Sequence, residues 1–243
     1  PPKVAGIATN FLTCLADDPS VNGHVALAYL DPPFLTGREH FFTEKKRKDA
    51  KPSDDDTASP HAANRPTTRE GARAKTAAFD DRWSTLNEYL DALEPRVRAA
   101  RALLAPDGSL VLHVDPKTSH YAKILCDELF GPECFVSEII WRYRRWPAKT
   151  ANFQRVHDVL LRYVKDASVK PRFNQLYEPL APSTLATWGE AKQRAVTNTS
   201  GKRLRSSKTE EKTPGTPLGD VWDISIVAPV ARERTGYPTQ KPE

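Results

Sequence analysis

Residues 31–34 read Asp-Pro-Pro-Phe and close an apolar run of strand type, residues 25–30. Asp31 precedes a proline, which drives it toward extended backbone, and Pro32 is restricted in the same way by Pro33. The product is a stiff ledge that offers one carboxylate, one carbonyl and the ring of Phe34. In an open parallel sheet, ligands bind outside the carboxyl ends of the strands, and Asp31 stands at such an end. A flat aromatic beside two acceptors suits a flat ligand that bears an amino group: the ring stacks, and the acceptors take the two N–H hydrogens. A plainer reading makes the same residues a tight turn, with Asp31 bonded to its own backbone and Phe34 tucked into the core.

Other reactive side chains carry weaker signals. His113 and Asp115 end a second apolar run, and their types suit structural or substrate-shaping roles better than catalysis. His157 with Asp158 fits a cap at a strand start. Asp31, Asp115 and Glu138 would be the acids of a metal-dependent nuclease, but they lack metal-ligand spacing, and no metal is expected. Cys14, Cys126 and Cys134 are odd in number without a CxxC pair, so neither a disulfide framework nor a zinc site is indicated. They read as small, partly buried side chains in a reducing cytoplasm.

The net charge of +5 is modest, but the positive charge is clumped at residues 45–51, 142–145 and 202–212. Clumped base near aromatics suits a polyanionic partner, and it also suits an ordinary solvated face.

These residues need elements to position them. A chain of 243 residues with 39% hydrophobic and 28% charged residues is that of a soluble globular protein, with room for one α/β core and a smaller appendage. No apolar stretch is long enough to span a bilayer, and no signal peptide precedes the first strand. The sequence has no methionine, starts at Pro1 and stops at Glu243, so it reads as a fragment.

A helix start is expected at residues 9–15, and 25–30 should be a strand covered on both faces. Residues 44–75 are polar and poor in large apolar groups, the composition of a mobile loop. Thr85 and Glu88 have capping-box spacing. Leu86, Leu90, Leu93, Val97, Ala100 and Leu104 then mark an amphipathic helix, with Pro95 the place for a kink. "PDG" at 106–108 predicts a turn, 109–115 a buried strand, and about 117–130 a second helix stopped by Gly131. Residues 136–143 and 158–164 are two more strands, joined by a basic, aromatic link. Residues 170–218 read as a loop-rich insertion, after which "GDVWDISIV" restores strand character. Strands alternating with helices predict a parallel or mixed α/β sheet.

Four segments together resemble the amino-methylating DNA methyltransferases, in their permuted branch where the Asp-Pro-Pro-aromatic motif comes early, as in type III restriction-modification methylase subunits. They are "DPPF", "LLAPDGSLVLHVD" with "SHYAKILCDELFG", "FVSEIIWRY" with "HDVLLRYVKD", and "GDVWDI" with "YPTQKPE". The resemblance implies a Rossmann-like S-adenosylmethionine-dependent methyltransferase sheet with a small loop-rich DNA-recognition insertion. In it, 1–43 and 76–169 form the catalytic core, 44–75 a mobile loop, 170–218 the insertion, and 219–243 the return toward the cofactor region. It further implies methyl transfer from S-adenosyl-L-methionine to the amino group of a flipped-out base in double-stranded DNA.

Adenine N6 is favoured by the aspartate in the motif, with cytosine N4 the alternative. By the same resemblance, Asp31, Pro32, Pro33 and Phe34 are catalytic, and Asp31, Thr239, Gln240 and Lys241 face the cofactor. Thr9 and Asn10 stand where the family often has Gly-Asp-Asn and are weaker candidates. DNA contacts fall to Arg142, Arg144, Arg145, Trp146, Lys149, Lys202, Arg203 and Arg205. Partners implied are DNA and a second copy or a companion restriction subunit, with no membrane, in a bacterial cytoplasm at the nucleoid. The family's Phe-x-Gly-x-Gly cofactor loop does not occur before Glu243. A non-catalytic DNA-binding or specificity fragment therefore stays open, as does methylation of RNA or protein amines.

Overall fold

The computed structural model of the chain describes residues 12, 14–42, 76–147, 149, 151–193, 196–204, 208–227, 231–237 and 239–242. Along the chain come β1 (Val25–Leu30), the antiparallel pair β2 (Glu39–Phe41) and β3 (Ala77–Asp80), helix α1 (Leu86–Leu103), β4 (Leu104–Val114), helix α2 (Ser119–Phe130), β5 (Phe135–Arg142) and β6 (His157–Val164). Next are β7 (Tyr177–Glu178), helix α3 (Pro182–Trp188), β8 (Ala191–Gln193), β9 (Val196–Thr197), β10 (Arg203–Leu204), β11 (Lys208–Lys212), β12 (Thr216–Pro217) and β13 (Val221–Asp223).

The main sheet has the order β1-β4-β6-β5-β13. β1 runs parallel to β4, β13 runs parallel to β5, and β6 is antiparallel to both of its neighbours. Four strands therefore point one way, with β6 reversed among them, giving the mixed, mostly parallel sheet of the Rossmann-like class. The carboxyl ends of β1, β4 and β5 and the start of β6 consequently share one edge of the sheet.

Strand alternation divides the side chains between two faces. Leu110, Leu112 and Val114 of β4 and Val159, Leu161 and Tyr163 of β6 form the main core with Tyr89, Leu93 and Val97 of α1 and Ala122 and Cys126 of α2. The opposite face carries a smaller cluster of Ile139, Trp141, Tyr143 and Leu160. α1 starts as its sequence dictates: Glu88 N–H donates to Thr85 Oγ1 at 3.1 Å, and Ser84 N–H donates to the Glu88 carboxylate at 2.8 Å. The helix runs on through Pro95, and the Arg96 guanidinium donates to the Ala92 carbonyl. α2 ends at Gly131, whose φ of 94° suits glycine and whose N–H donates to the Asp127 carbonyl at 2.9 Å.

Three expectations need correction. β1 is not covered on both faces: among the described residues it pairs only with β4, and Leu27 and Tyr29 are exposed. The "PDG" turn does not end an element, because it lies inside β4 as a bulge. Val25 pairs with Leu104 and Leu27 with Ser109, so the extra residues are all on β4. A Cβ on Gly108 would meet the Val25 carbonyl oxygen at 2.7 Å and that of Ala105 at 3.0 Å, so only glycine lets the backbones approach this closely. The second helix begins at Ser119, two residues later than expected.

Of the first helical segment, residues 14–17 are helical, and residues 9–11 lie outside the described residues. So does the whole of the polar stretch 44–75, with the basic run 45–51 inside it. Within 170–218 the strands nest as antiparallel pairs, β7 with β12, β8 with β11 and β9 with β10, so this segment doubles back on itself.

Candidate nucleobase-binding site

The sheet edge described above carries an open cleft of about 1380 Å³, lined by Asp31, Pro32, Pro33 and Phe34. That exceeds the roughly 300–1,000 Å³ usual for one small-molecule site. Alternation from the strands places Tyr29 and Asp31, His113 and Asp115, Asp158, and Trp141 and Tyr143 on the same side. Phe34 is half-buried, its ring 5.1 Å from that of His113 and open to the cleft, which excludes the reading of it as a core residue. The Asp31 side chain is recessed at 29% exposure, although its backbone is open.

The ledge is held from outside. Asp81, just after β3, accepts hydrogen bonds from the backbone N–H groups of Phe34, Leu35 and Thr36 at 3.2, 2.9 and 2.8 Å. Its carboxylate also takes Thr36 Oγ1 at 2.5 Å and Trp83 Nε1 at 3.2 Å. Leu35 has a φ of 57°, left-handed and uncommon for leucine.

Asp31 sits among charges. Lys241 Nζ is 3.5 Å from Asp31 Oδ1 and lies 4.6 Å from the centre of the Phe34 ring and 5.5 Å from that of Trp141. His113, fully buried, has Nδ1 3.6 Å from Asp31 and 2.7 Å from the Tyr29 hydroxyl, while its Nε2 is 3.1 Å from Asp158. Tyr143 donates to Asp158 at 2.9 Å. Burial pushes the Asp31 carboxyl above its ordinary value, and Lys241 and His113 only partly offset this. Asp158 is buried too, but its bonds to His113 and Tyr143 outweigh burial and hold it below the ordinary value. Burial beside Asp158 pushes the Tyr143 phenol up to about 12.

The other expected site residues divide. Thr239 and Lys241 line the cleft. Lys241 reaches the Asp31 carboxylate itself. Gln240 also borders the cleft, but its amide is engaged within its own loop, accepting from Thr235 N–H at 2.7 Å and donating to the Glu233 carbonyl at 2.9 Å. Thr9 and Asn10 lie outside the described residues. Asp115 does not join Asp31 in a metal set, because Arg155 holds it with bonds of 2.9 and 2.6 Å. Among the described residues no group of three or more His, Cys, Asp or Glu is placed to hold a metal ion. Cys14 is exposed, whereas Cys126 and Cys134 are buried.

Of the residues expected to contact DNA, Arg144, Trp146, Lys149 and Lys202 are exposed. Arg142 is ion-paired with Asp223, and Arg145 packs over the Tyr143 ring with its guanidinium 5.1 Å from the ring centre. Arg203 lies in β10, and Arg205 falls outside the described residues. Described residues of the β5–β6 link bond to one another and to the core. Gln154 donates to the Trp146 carbonyl at 2.8 Å, Tyr143 N–H donates to the Val156 carbonyl at 2.9 Å, and Arg155 pins the loop to Asp115. This loop presents Trp146 at 91% and Phe153 at 98% exposure, and Phe153 stands at the cleft.

Sequence reasoning missed Asp81, Trp141, Phe153 and Arg155, and it placed Asp158 as a cap within a segment that resembles the family. The alternation of β5 could have put Trp141 beside the site. Nothing local marks Asp81.

A family model described as DNA methylase matches residues 25–243. The chain belongs to this DNA methylase family. It is similar to the Mod subunit of the type III restriction-modification enzyme EcoP15I of Escherichia coli, 25% identical over 144 residues that cover 58% of this chain and 21% of that protein. It is also similar to the EcoPI Mod subunit of Escherichia phage P1, 30% identical over 119 residues that cover 47% of this chain and 17% of that protein. A DNA modification methylase from Thermus thermophilus aligns at 20% identity with a TM-score of 0.27, over 41% of this chain and 43% of that one. The DNA methylase chain thus spans about a fifth of the length of these Mod subunits. No helix among its described residues is long and apolar enough to cross a membrane.

Proposed function

We propose that this chain carries the base-binding part of an amino-methylating DNA methyltransferase, with adenine N6 as the acceptor. The observation that supports it best is the Asp31 carboxylate and the Phe34 ring sharing the Lys241 ammonium, in a cleft wide enough for a base and a second ligand. A base inside a duplex cannot reach this cleft, so it must leave the stack. Phe34 then stacks on the extruded ring, and the Asp31 carboxylate and Pro32 carbonyl accept its two amino N–H hydrogens.

The amino lone pair is delocalised into the ring and is a poor nucleophile. Two in-plane acceptors that favour a more tetrahedral nitrogen aim the lone pair away from the ring. This is electrostatic preorganisation combined with positioning. The nitrogen must also release one proton, and Asp31, with its raised affinity for protons, is the acceptor at hand.

S-adenosyl-L-methionine supplies the electrophilic methyl group when bound. The residues present fit it: the Phe34 and Trp141 rings and the Asp31 carboxylate make a corner that attracts a positive centre, taken in this structure by the Lys241 ammonium. Asp31, Thr239, Gln240 and Lys241 are the proposed residues on that side.

Duplex DNA is the proposed partner, met by Arg144, Arg145, Lys149 and Lys202 at phosphates and by Trp146 and Phe153 at the stack. The double-back segment 177–217 is the proposed reader of sequence. The likeness to Mod subunits supports a second copy or a companion restriction subunit as protein partner, and action at the bacterial nucleoid in the cytoplasm.

The test is to incubate the full-length protein with methyl-labelled S-adenosylmethionine and genomic DNA and identify the labelled nucleoside by mass spectrometry. N6-methyladenine is expected. N4-methylcytosine would overturn the choice of base, and unlabelled DNA would overturn the reaction.

A further inference from the structure

We propose that Asp81 is a positioning residue: its carboxylate holds the Asp-Pro-Pro-Phe ledge in the shape that receives the base. This inference rests on the reading of the cleft as a methyl-transfer site. Three consecutive backbone N–H groups, at Phe34, Leu35 and Thr36, converge on the one carboxylate. Consecutive amides converge in this way where a right-handed and a left-handed residue follow one another, and Leu35, with φ 57°, is the left-handed one. Such concavities bind anions, often those of a ligand. Here the anion is internal.

Asp81 is 1% exposed, and a buried charge persists only where its partners are complete. Phe34, Leu35, Thr36 and Trp83 supply five donors. The backbone of Asp81 is tied to the same segment, since Gly37 N–H donates to its carbonyl at 3.1 Å and its own N–H donates to the Arg38 carbonyl at 2.9 Å. The Pro-Pro pair stiffens the ledge along its length, but stiffness does not say where the ledge sits. Asp81 locates it against the sheet, and with it the Phe34 ring and the carboxylate of Asp31. Only an ionised carboxylate offers acceptors alone, so Asp81→Asn, equal in size, must turn an amide NH2 toward N–H donors.

The test uses the full-length protein and two readouts on Asp81→Asn. For methyl transfer to genomic DNA, kcat is expected to fall about 100-fold, the scale of an ångström-sized misplacement. KM for DNA should stay within about threefold, because the phosphate-facing side chains of the β5–β6 loop are untouched. In hydrogen–deuterium exchange, the Leu35 and Thr36 amides should exchange faster while those of β4 remain protected. Thr36→Val, which removes a single donor, should lie between the two proteins. Wild-type kcat in Asp81→Asn, or unchanged protection at Leu35 and Thr36, overturns the proposal. So does exchange that rises equally in β4, which would make Asp81 a residue of general stability. If the wild-type protein transfers no methyl group, the functional reading fails while the exchange measurement still decides whether Asp81 clamps the ledge.

Discussion

At the scale of single residues, the site is a partly recessed carboxylate beside a cation. Replacing Asp31 with Ala removes an acceptor that acts where the nitrogen reorganises, so methyl transfer should drop by about 100- to 1,000-fold. DNA affinity, measured by fluorescence anisotropy, should change little, because the phosphate-facing groups lie elsewhere. Asp31 must be ionised to accept, and burial has raised its pKa, so activity should rise with pH through a range above that of an ordinary aspartate. Lys241 lowers that pKa from 3.5 Å away. Lys241→Met should therefore move the acid limb of the kcat–pH profile to higher pH. A limb that stays in place or moves down would show that another group titrates there.

At the scale of elements, two local devices can be separated from the chemistry. Thr85→Ala removes the cap of α1 and should cost about 1 kcal/mol in denaturant unfolding. Its kcat should be unchanged, because Thr85 itself does not line the cleft. Gly108→Ala puts a methyl group 2.7 Å from the Val25 carbonyl oxygen, a backbone atom that cannot swing aside. An overpacked site of this kind costs roughly 1–3 kcal/mol. The strain falls on the β1–β4 pairing, so this variant should unfold at lower denaturant concentration than Thr85→Ala.

The capping box and the helix stop at Gly131 were legible because each depends on residues within five positions of one another. The bulge was not, because a Pro-Asp-Gly turn has the same local signature whether it ends a strand or bulges within one.

At the scale of the whole molecule, basic and aromatic side chains gather on one loop, between β5 and β6. Each phosphate contact contributes about 0.9 to the slope of log affinity against log salt on duplex DNA. Arg144→Ala with Lys149→Ala should therefore lower that slope by about 2. Arg142→Ala should lower it less, since Arg142 is already paired with Asp223. Phe153→Ala should leave the slope unaltered while reducing the fluorescence rise of 2-aminopurine placed at the mapped target base. Equal loss of slope in all three would describe a uniform charged surface instead of a loop with a division of labour.

The acidic ledge, the helix periods and the basic clusters were determined by the sequence alone, since proline geometry, capping and side-chain alternation act between near neighbours. The family resemblance is carried by short segments of the same kind. Only the tertiary structure decided that His113 bridges Asp31 and Asp158, that Lys241 reaches Asp31 and that Asp81 grips the ledge. Leu35 and Asp81 are 46 residues apart, and His113 and Asp158 are 45 apart. Contacts at such separations depend on strand order and register. Those are set by how the whole core packs, and no window of sequence contains that information.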